Sequence, residues 1–416
     1  MILRRSILCA LALALLVPFA GRAVDASPRG GTGANAPLND NIDRTDPNFV
    51  KASLLVMGPG KELYSCAGHA CFRLECPKFN LDYCFSYEGE SAADQIFRFF
   101  AGKLKMGMFA VPTQEFLKQY ETGGRGVRQY VLNLSPAAKV RLWKILDDLV
   151  AKGADLPYDH IKRGCAQSTL STLLSAIQPD LMEQPPCPEK FRLTRREILH
   201  SYIADYPWTR LMLHMISGPK ADRAATMVGK IITPDDMLAY LRGLKANGQV
   251  VLMAEPIELL PQTLRNRQSL FTPMVASLLM VLLSVVSCFR MSCAIGAVLL
   301  SVYALIGFLE SYIVFFSDLP ASSWNWISIP FNPLPLVFWR WRRYWALPFV
   351  AVLVAWEGYM LFNGHALTDP AFLVLAAAYI VCFLRFVPSC AFLGKVQTLS
   401  LVRARSFAAP QKGGVA

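Results

Sequence analysis

Apolar residues fall along this chain in three regimes, and each predicts a different kind of structure. A run at residues 7–20 follows Arg4 and Arg5 and ends on the small residues Gly21 and Ala23, so residues 1–23 have the layout of a secretory signal. Residues 24–48 are rich in Gly, Ala, Asn, Asp and Pro with almost no large apolar side chain. That composition cannot bury enough surface to fold, and the stretch reads as a flexible linker. From 49 to 262 charged and apolar positions mix in globular proportion, over a length that can bury one sizeable core. Within it, strand-like runs at 70–74 and 81–87 bracket the turn Pro77-Lys78-Phe79-Asn80, and Leu170, Leu173, Leu174 and Ile177 form an apolar stripe at helical spacing after Gly164. An α+β domain is expected here.

Beyond this domain, from 268 to 390, stretches of membrane-spanning length recur with few charges between them. About five spans are expected, at 271–289, 294–316, 326–339, 345–362 and 371–387. The third is short and holds Pro330, Pro333 and Pro335, so a broken or re-entrant element is the alternative to a full crossing. Loop charge favours five crossings. Arg290, Arg340, Arg342, Arg343, Lys395, Arg403 and Arg405 then share the cytoplasmic side, and Asp318, His365 and Asp369 share the other side with the α+β domain, with Arg265 and Arg267 as mild exceptions. Residues 391–416 become a cytoplasmic tail. Glu310 and Glu357 fall within predicted spans, where an ionisable side chain is a functional candidate.

This topology changes the reading of charge. The formal net charge of +12 would suggest nucleic acid, but several of the positives sit in the signal, the cytoplasmic loops and the tail. No nucleic-acid partner is inferred; contact with anionic headgroups at a membrane surface and an ordinary solvated face are the two readings of the basic residues of the α+β domain. Of the 11 cysteines, Cys9 lies in the signal and Cys288, Cys293, Cys382 and Cys390 lie in or beside spans. Cys66, Cys71, Cys76, Cys84, Cys165 and Cys187 remain in the α+β domain. Outside the cytoplasm some of these are expected to pair, and a cross-hairpin Cys76–Cys84 disulfide is one candidate. No CxxC pair and no second nearby His supports a metal, and no cofactor is implied.

Candidate chemistry rests on His69, in Tyr64-Ser65-Cys66-Ala67-Gly68-His69-Ala70, and on Cys165, in Lys162-Arg163-Gly164-Cys165-Ala166. Cys165 opens the predicted helix, where unpaired amide groups and the positive dipole end favour thiolate; Lys162 and Arg163 push the same way and are candidate lipid-headgroup contacts. A thiolate with a histidine base is acyl-transfer chemistry. Ser86, Tyr87 and Glu88 are the candidates to orient the imidazole, and Tyr64 is an alternative donor to a developing oxyanion. Asn325 and Asn332, in loops on the side of the α+β domain, are candidate lipid contacts.

The run 53–74, with Gly58-Pro59-Gly60-Lys61-Glu62-Leu63-Tyr64-Ser65 and Gly68-His69-Ala70, resembles the periplasmic domain of the Lnb-type lipoprotein N-acyltransferases. Collinear landmarks follow at Phe99-Phe100-Ala101-Gly102-Lys103-Leu104, Tyr120-Glu121-Thr122-Gly123-Gly124-Arg125, Leu132-Asn133-Leu134, Cys165-Ala166, Gly218-Pro219-Lys220-Ala221-Asp222-Arg223 and Phe331-Asn332-Pro333-Leu334. The resemblance implies a permuted papain-like fold, with the His-bearing strand before the Cys-bearing helix, followed by an α-helical transmembrane domain in the inner membrane. It implies Cys165 as nucleophile, His69 as base, a phospholipid as acyl donor and the α-amine of a diacylglyceryl-cysteine lipoprotein as acceptor. Ser86 and Tyr87 align with the family's Asn-Tyr-Gly stretch, with Ser86 in place of Asn. Arg163-Gly164 stands where the family carries Asp-Asn. A thiol phospholipase or amidase of the same fold and a non-enzymatic envelope protein are the alternatives.

Overall fold

The structure, a computed structural model, describes residues 46–384 except 47, 62–64, 90–94, 154–155, 158–163, 184–191, 224, 254, 265–269, 289–292, 320–321, 323–324, 329, 335–340 and 363–368. The signal, nearly all of the linker and the tail lie outside the described residues, as do Tyr64, Lys162, Arg163, Cys187, Arg290, Arg340 and His365.

The described chain opens with β1 (Lys51–Met57), β2 (His69–Cys76) and β3 (Leu81–Gly89), then passes through α1 (Ile96–Phe100) to β4 (Lys105–Pro112). It continues with α2 (Thr113–Thr122), β5 (Val127–Val131), α3 (Pro136–Lys152), β6 (Leu156–Pro157) and α4 (Cys165–Ile177). After β7 (Leu181–Glu183) come α5 (Arg195–Tyr202), α6 (Pro207–Ile216), α7 (Pro234–Leu241), β8 (Lys245–Ala246), β9 (Gln249–Val250) and β10 (Ile257–Leu260). Seven strands pair antiparallel in the order β10-β5-β1-β2-β3-β4-β6, and β7-β8-β9 form a small second sheet. Helices and antiparallel sheet together make the α+β domain that the pattern predicts.

Strand alternation divides this sheet into two covered faces. Ala70, Phe72 and Leu74 of β2 join Leu54, Val56, Phe85 and Tyr87 on one face, packed by Leu142 and Leu146 of α3 and by Leu170, Leu173 and Ile177 of α4. Burial of each such leucine contributes about 1.5–3 kcal/mol. The other face carries Leu55, Met57, Cys71, Cys84 and Val127 under Phe116 and Tyr120 of α2. The predicted turn is present, with Pro77–Phe79 in a 3-10 turn and Asn80 at φ 52° closing it.

Alternation also overturns the expected disulfide. The register pairs Cys76 with Leu81 and Cys84 with Arg73, so the two sulfurs lie on opposite faces of the hairpin. Cys76 Sγ donates to Phe49 O at 3.2 Å, and Cys84 Sγ meets Thr113 Oγ1 at 3.4 Å. No disulfide joins Cys66, Cys71, Cys76, Cys84 and Cys165.

C-terminal to this domain the described residues include the apolar helices α8 (Pro273–Ser287), α9 (Cys293–Phe316), α10 (Arg342–Phe362) and α11 (Pro370–Leu384). Within α9 and α10, Ile295–Phe316 and Tyr344–Phe362 are long and apolar enough to cross a membrane; α8 and α11 are shorter. Of the third predicted span, Trp326–Ser328 is a 3-10 turn. Phe331 stacks against Tyr303 and Tyr379, and a Cβ at Gly307 of α9 would sit 2.6 Å from the Asn332 carbonyl carbon.

The α+β domain is seated directly on these helices. Leu211 of α6 packs with Tyr303, Phe331, Trp356 and Phe372, whereas Leu213 and Ile216 pack with Cys66, Phe99 and Ile313 of α9. Arg210 Nε donates to Asp369 Oδ2 at 2.6 Å, Asn325 Nδ2 to Met215 O at 2.6 Å and Asp318 N to Ala101 O at 3.0 Å. Cys66 adjoins the turn that ends at His69, so one apolar cluster links that turn to the end of α9.

Candidate active site

Three elements bring the polar residues together. Gly68 precedes β2 at φ +82°, and a Cβ there would sit 2.8 Å from Met57 O; glycine allows the chain to fold tightly under β1 just before His69. Helix α4 begins at Cys165 with Gly164 as an extended N-cap whose carbonyl accepts Ser168 N at 3.0 Å. The N-cap Gly164 has no side chain to cap this end, which leaves the positive end of the helix beside the Cys165 position. The strand β3 supplies the third part. Cys71 pairs with Ser86, and continuing that register sets Glu88 opposite His69.

His69 Nε2 lies 2.7 Å from Ser86 Oγ and 3.4 Å from Glu88 Oε1, and Ser86 Oγ donates to Glu88 Oε1 at 2.6 Å. The donors in this relay run one way. With the hydroxyl proton on Glu88, Ser86 Oγ accepts from Nε2–H, and Nδ1 is the ring nitrogen left for Cys165. His69 is largely buried, while Cys165 is only partly so and remains reachable.

The charges reinforce one another. Burial pulls the His69 imidazole down, but the Cys165 and Glu88 charges outweigh it and push it up to about 10. Burial raises the Cys165 thiol, and the His69 charge and hydrogen bond, helped by the Ala70 backbone, bring it below the ordinary thiol value. Glu88 is likewise held low against burial by His69, by the Ser86 hydroxyl and by the Arg125 charge. The shifts at Cys165 and His69 both favour the thiolate–imidazolium form of the pair, with the Glu88 carboxylate behind the imidazole.

Residues 39–200 match the profile of the Lnb N-terminal periplasmic domain family. This segment is similar to that family's domain. It contains His69, Ser86, Glu88 and Cys165, and the chain therefore combines a periplasmic-type domain with two helices, among the described residues, long and apolar enough to span a membrane. No curated protein and no solved structure matches the chain.

The remaining site candidates of the Lnb-type domain and its helices fall in different places. Tyr87 points to the opposite sheet face, where its hydroxyl meets Thr172 Oγ1 of α4 at 2.8 Å; it braces the helix and does not touch the imidazole. Tyr64, Lys162 and Arg163 lie outside the described residues. Asn325 is buried, with its amide on the Met215 carbonyl, and Asn332 Oδ1 accepts Leu334 N at 3.2 Å. Glu88 was one of three candidates in the sequence, and the two-residue strand period that groups it with Ser86 was the signal that could have selected it. Arg125 was not singled out for the site. Its guanidinium donates to Gly58 O at 3.0 Å and lies 4.8 Å over the Tyr120 ring. Among the described residues no three His, Cys, Asp or Glu side chains converge to hold a metal.

Proposed function

We propose that this protein is a lipoprotein N-acyltransferase of the inner membrane, with its active site on the periplasmic face. The Cys165 thiolate attacks the ester carbonyl of a membrane phospholipid, and the backbone N–H of Cys165 at the start of α4 faces the developing oxyanion. His69 gives its proton to the departing lysophospholipid oxygen, leaving a Cys165 thioester and a neutral imidazole. The α-amine of a diacylglyceryl-cysteine lipoprotein then attacks the thioester. His69 takes the amine proton, the thiolate leaves, and the acceptor becomes triacylated. Ser86 and Glu88 hold the imidazole through Nε2 so that Nδ1 faces the sulfur. The permuted papain-like order, histidine strand before cysteine helix, belongs to the same reading.

The observation that carries this reading is the four-residue relay from Cys165 to Glu88 inside an Lnb-type domain seated on membrane-length helices. Intact-protein mass spectrometry with phospholipid tests it. Wild type should gain one acyl mass, labile to hydroxylamine, that is absent in Cys165→Ala, and a diacylated lipopeptide should discharge it onto its amine. Release of free fatty acid with no transfer to the lipopeptide would assign a hydrolase instead. No adduct at all would overturn the enzyme reading.

A further inference from the structure

Helix α1 stands beside the catalytic turn and the end of a membrane-length helix at once. Its two sides differ sharply. Phe99 is 4 % exposed and packs with Cys66, Leu104 and Ile313, whereas Phe97 is 86 % exposed. The residues that follow α1 are locked to the end of α9. Asp318 N donates to Ala101 O at 3.0 Å, and Gly102, at φ +69°, presses so closely on this segment that a Cβ would sit 2.5 Å from Leu319 N. On the last turn of α9, Phe315 and Phe316 are 77 % and 74 % exposed. Exposed Arg98, Lys103 and Lys105 surround the same corner, with exposed Asp318 as the counter-charge.

Isolated exposed aromatics are ordinary on protein surfaces. Phe97 differs because it is held at the level where a membrane-length helix ends, next to two more exposed phenylalanines and a predominantly basic rim. That combination is the composition of a membrane–water interface, where aromatic rings enter the acyl boundary and Lys and Arg meet phosphates. We infer that α1 is a membrane-inserted lip: Phe97 enters the outer half of the bilayer on which the domain sits, Arg98, Lys103 and Lys105 contact lipid phosphate, and Phe99 backs the lip against the turn leading to His69. The partner is the lipid leaflet itself. Phe99 of the same helix shares an apolar cluster with Cys66, three residues before His69. The inference rests on reading α9 as a span and deepens the proposed function by naming where its lipid substrate approaches.

The test uses the full-length protein in nanodiscs of phosphatidylethanolamine and phosphatidylglycerol, with p-benzoylphenylalanine placed by turns at Phe97, Phe316 and Lys118. Lys118 is an exposed position on α2. After irradiation, Phe97 and Phe316 should each give a mass increase of one phospholipid, and Lys118 none. An adduct at Phe316 without one at Phe97 would overturn the lip while leaving the span intact. No adduct at either would overturn the span reading and the lip together, and equal adducts at all three positions would show contact without a specific inserted element and overturn the lip. Replacing phosphatidylglycerol by phosphatidylcholine should lower the Phe97 adduct if the basic rim meets anionic lipid; an unchanged yield would remove that part of the inference.

Discussion

Cys165 and Cys71 are two sulfurs of the same domain, one partly and one fully buried, and their thiols are shifted in opposite directions. Cys71 lies in the middle of β2, fully buried beside Cys84, and burial drives its thiol well above the ordinary value, with the neighbouring thiol adding to the rise. Cys165 lies at the start of α4, where the imidazolium of His69 more than cancels the same burial effect. Burial alone therefore makes a thiol inert. A charged partner fixed within hydrogen-bond reach makes it a nucleophile, because desolvation strengthens the attraction that it also makes necessary.

Mutations can break this contrast at graded cost. Cys165→Ala should abolish the acyl adduct and lower acyl transfer by about 10⁴-fold or more, read by single-turnover mass spectrometry. His69→Gln leaves the thiol but removes the charge that lowers it, and a loss of about 10²–10⁴-fold in kcat/KM is expected. Ser86→Ala removes the hydroxyl between imidazole and carboxylate at a cost of about 1–2 kcal/mol, or roughly five- to thirtyfold in kcat/KM, with little change in thermal stability.

Glu88→Gln sharpens the electrostatic half of the contrast. Acylation needs the thiolate and the protonated imidazole together, so the falling limb of kcat/KM against pH tracks proton loss from His69, whose pKa of about 10 is raised by Cys165 and Glu88. Removing the carboxylate charge lowers that pKa, and the limb should move to lower pH by about one unit. A limb that stays in place would show that Glu88 acts by position only. The smallest effect is expected at Cys71. Cys71→Ala should keep activity within about twofold and cost about 1 kcal/mol of stability, and iodoacetamide near neutral pH should label Cys165 and spare Cys71.

Much of this architecture follows from local pattern. The leucine stripe after Gly164 announces α4, and the Pro77 to Asn80 turn announces the β2–β3 hairpin, because helix and turn depend on residues a few positions apart. Cys165 was legible for a related reason: a cysteine opening a helix after a glycine is a chemical statement made within one turn, whereas His69 stood out only through the family resemblance of its flanking run. The hairpin residues were harder. Ser86, Tyr87 and Glu88 are consecutive, and only the strand register decides that Ser86 and Glu88 share the His69 face while Tyr87 turns to Thr172. The same parity separates Cys76 from Cys84, which spacing alone had suggested as a pair. A shift of one residue in register would reverse both assignments.

By itself, the sequence determined where the β2–β3 hairpin, the α4 stripe and the apolar C-terminal runs lie, and it offered Cys165 as a sulfur at a helix start. Those properties are set by composition and period over short windows. Tertiary structure alone decided which polar groups meet the imidazole, which of several thiols lies beside it, and that α6 and the turn after α1 fasten the domain to the apolar helices through Arg210 with Asp369 and Ala101 with Asp318. These contacts join residues far apart in the chain, and the energy of a charge or a hydrogen bond depends on its distance in space and on the water excluded around it.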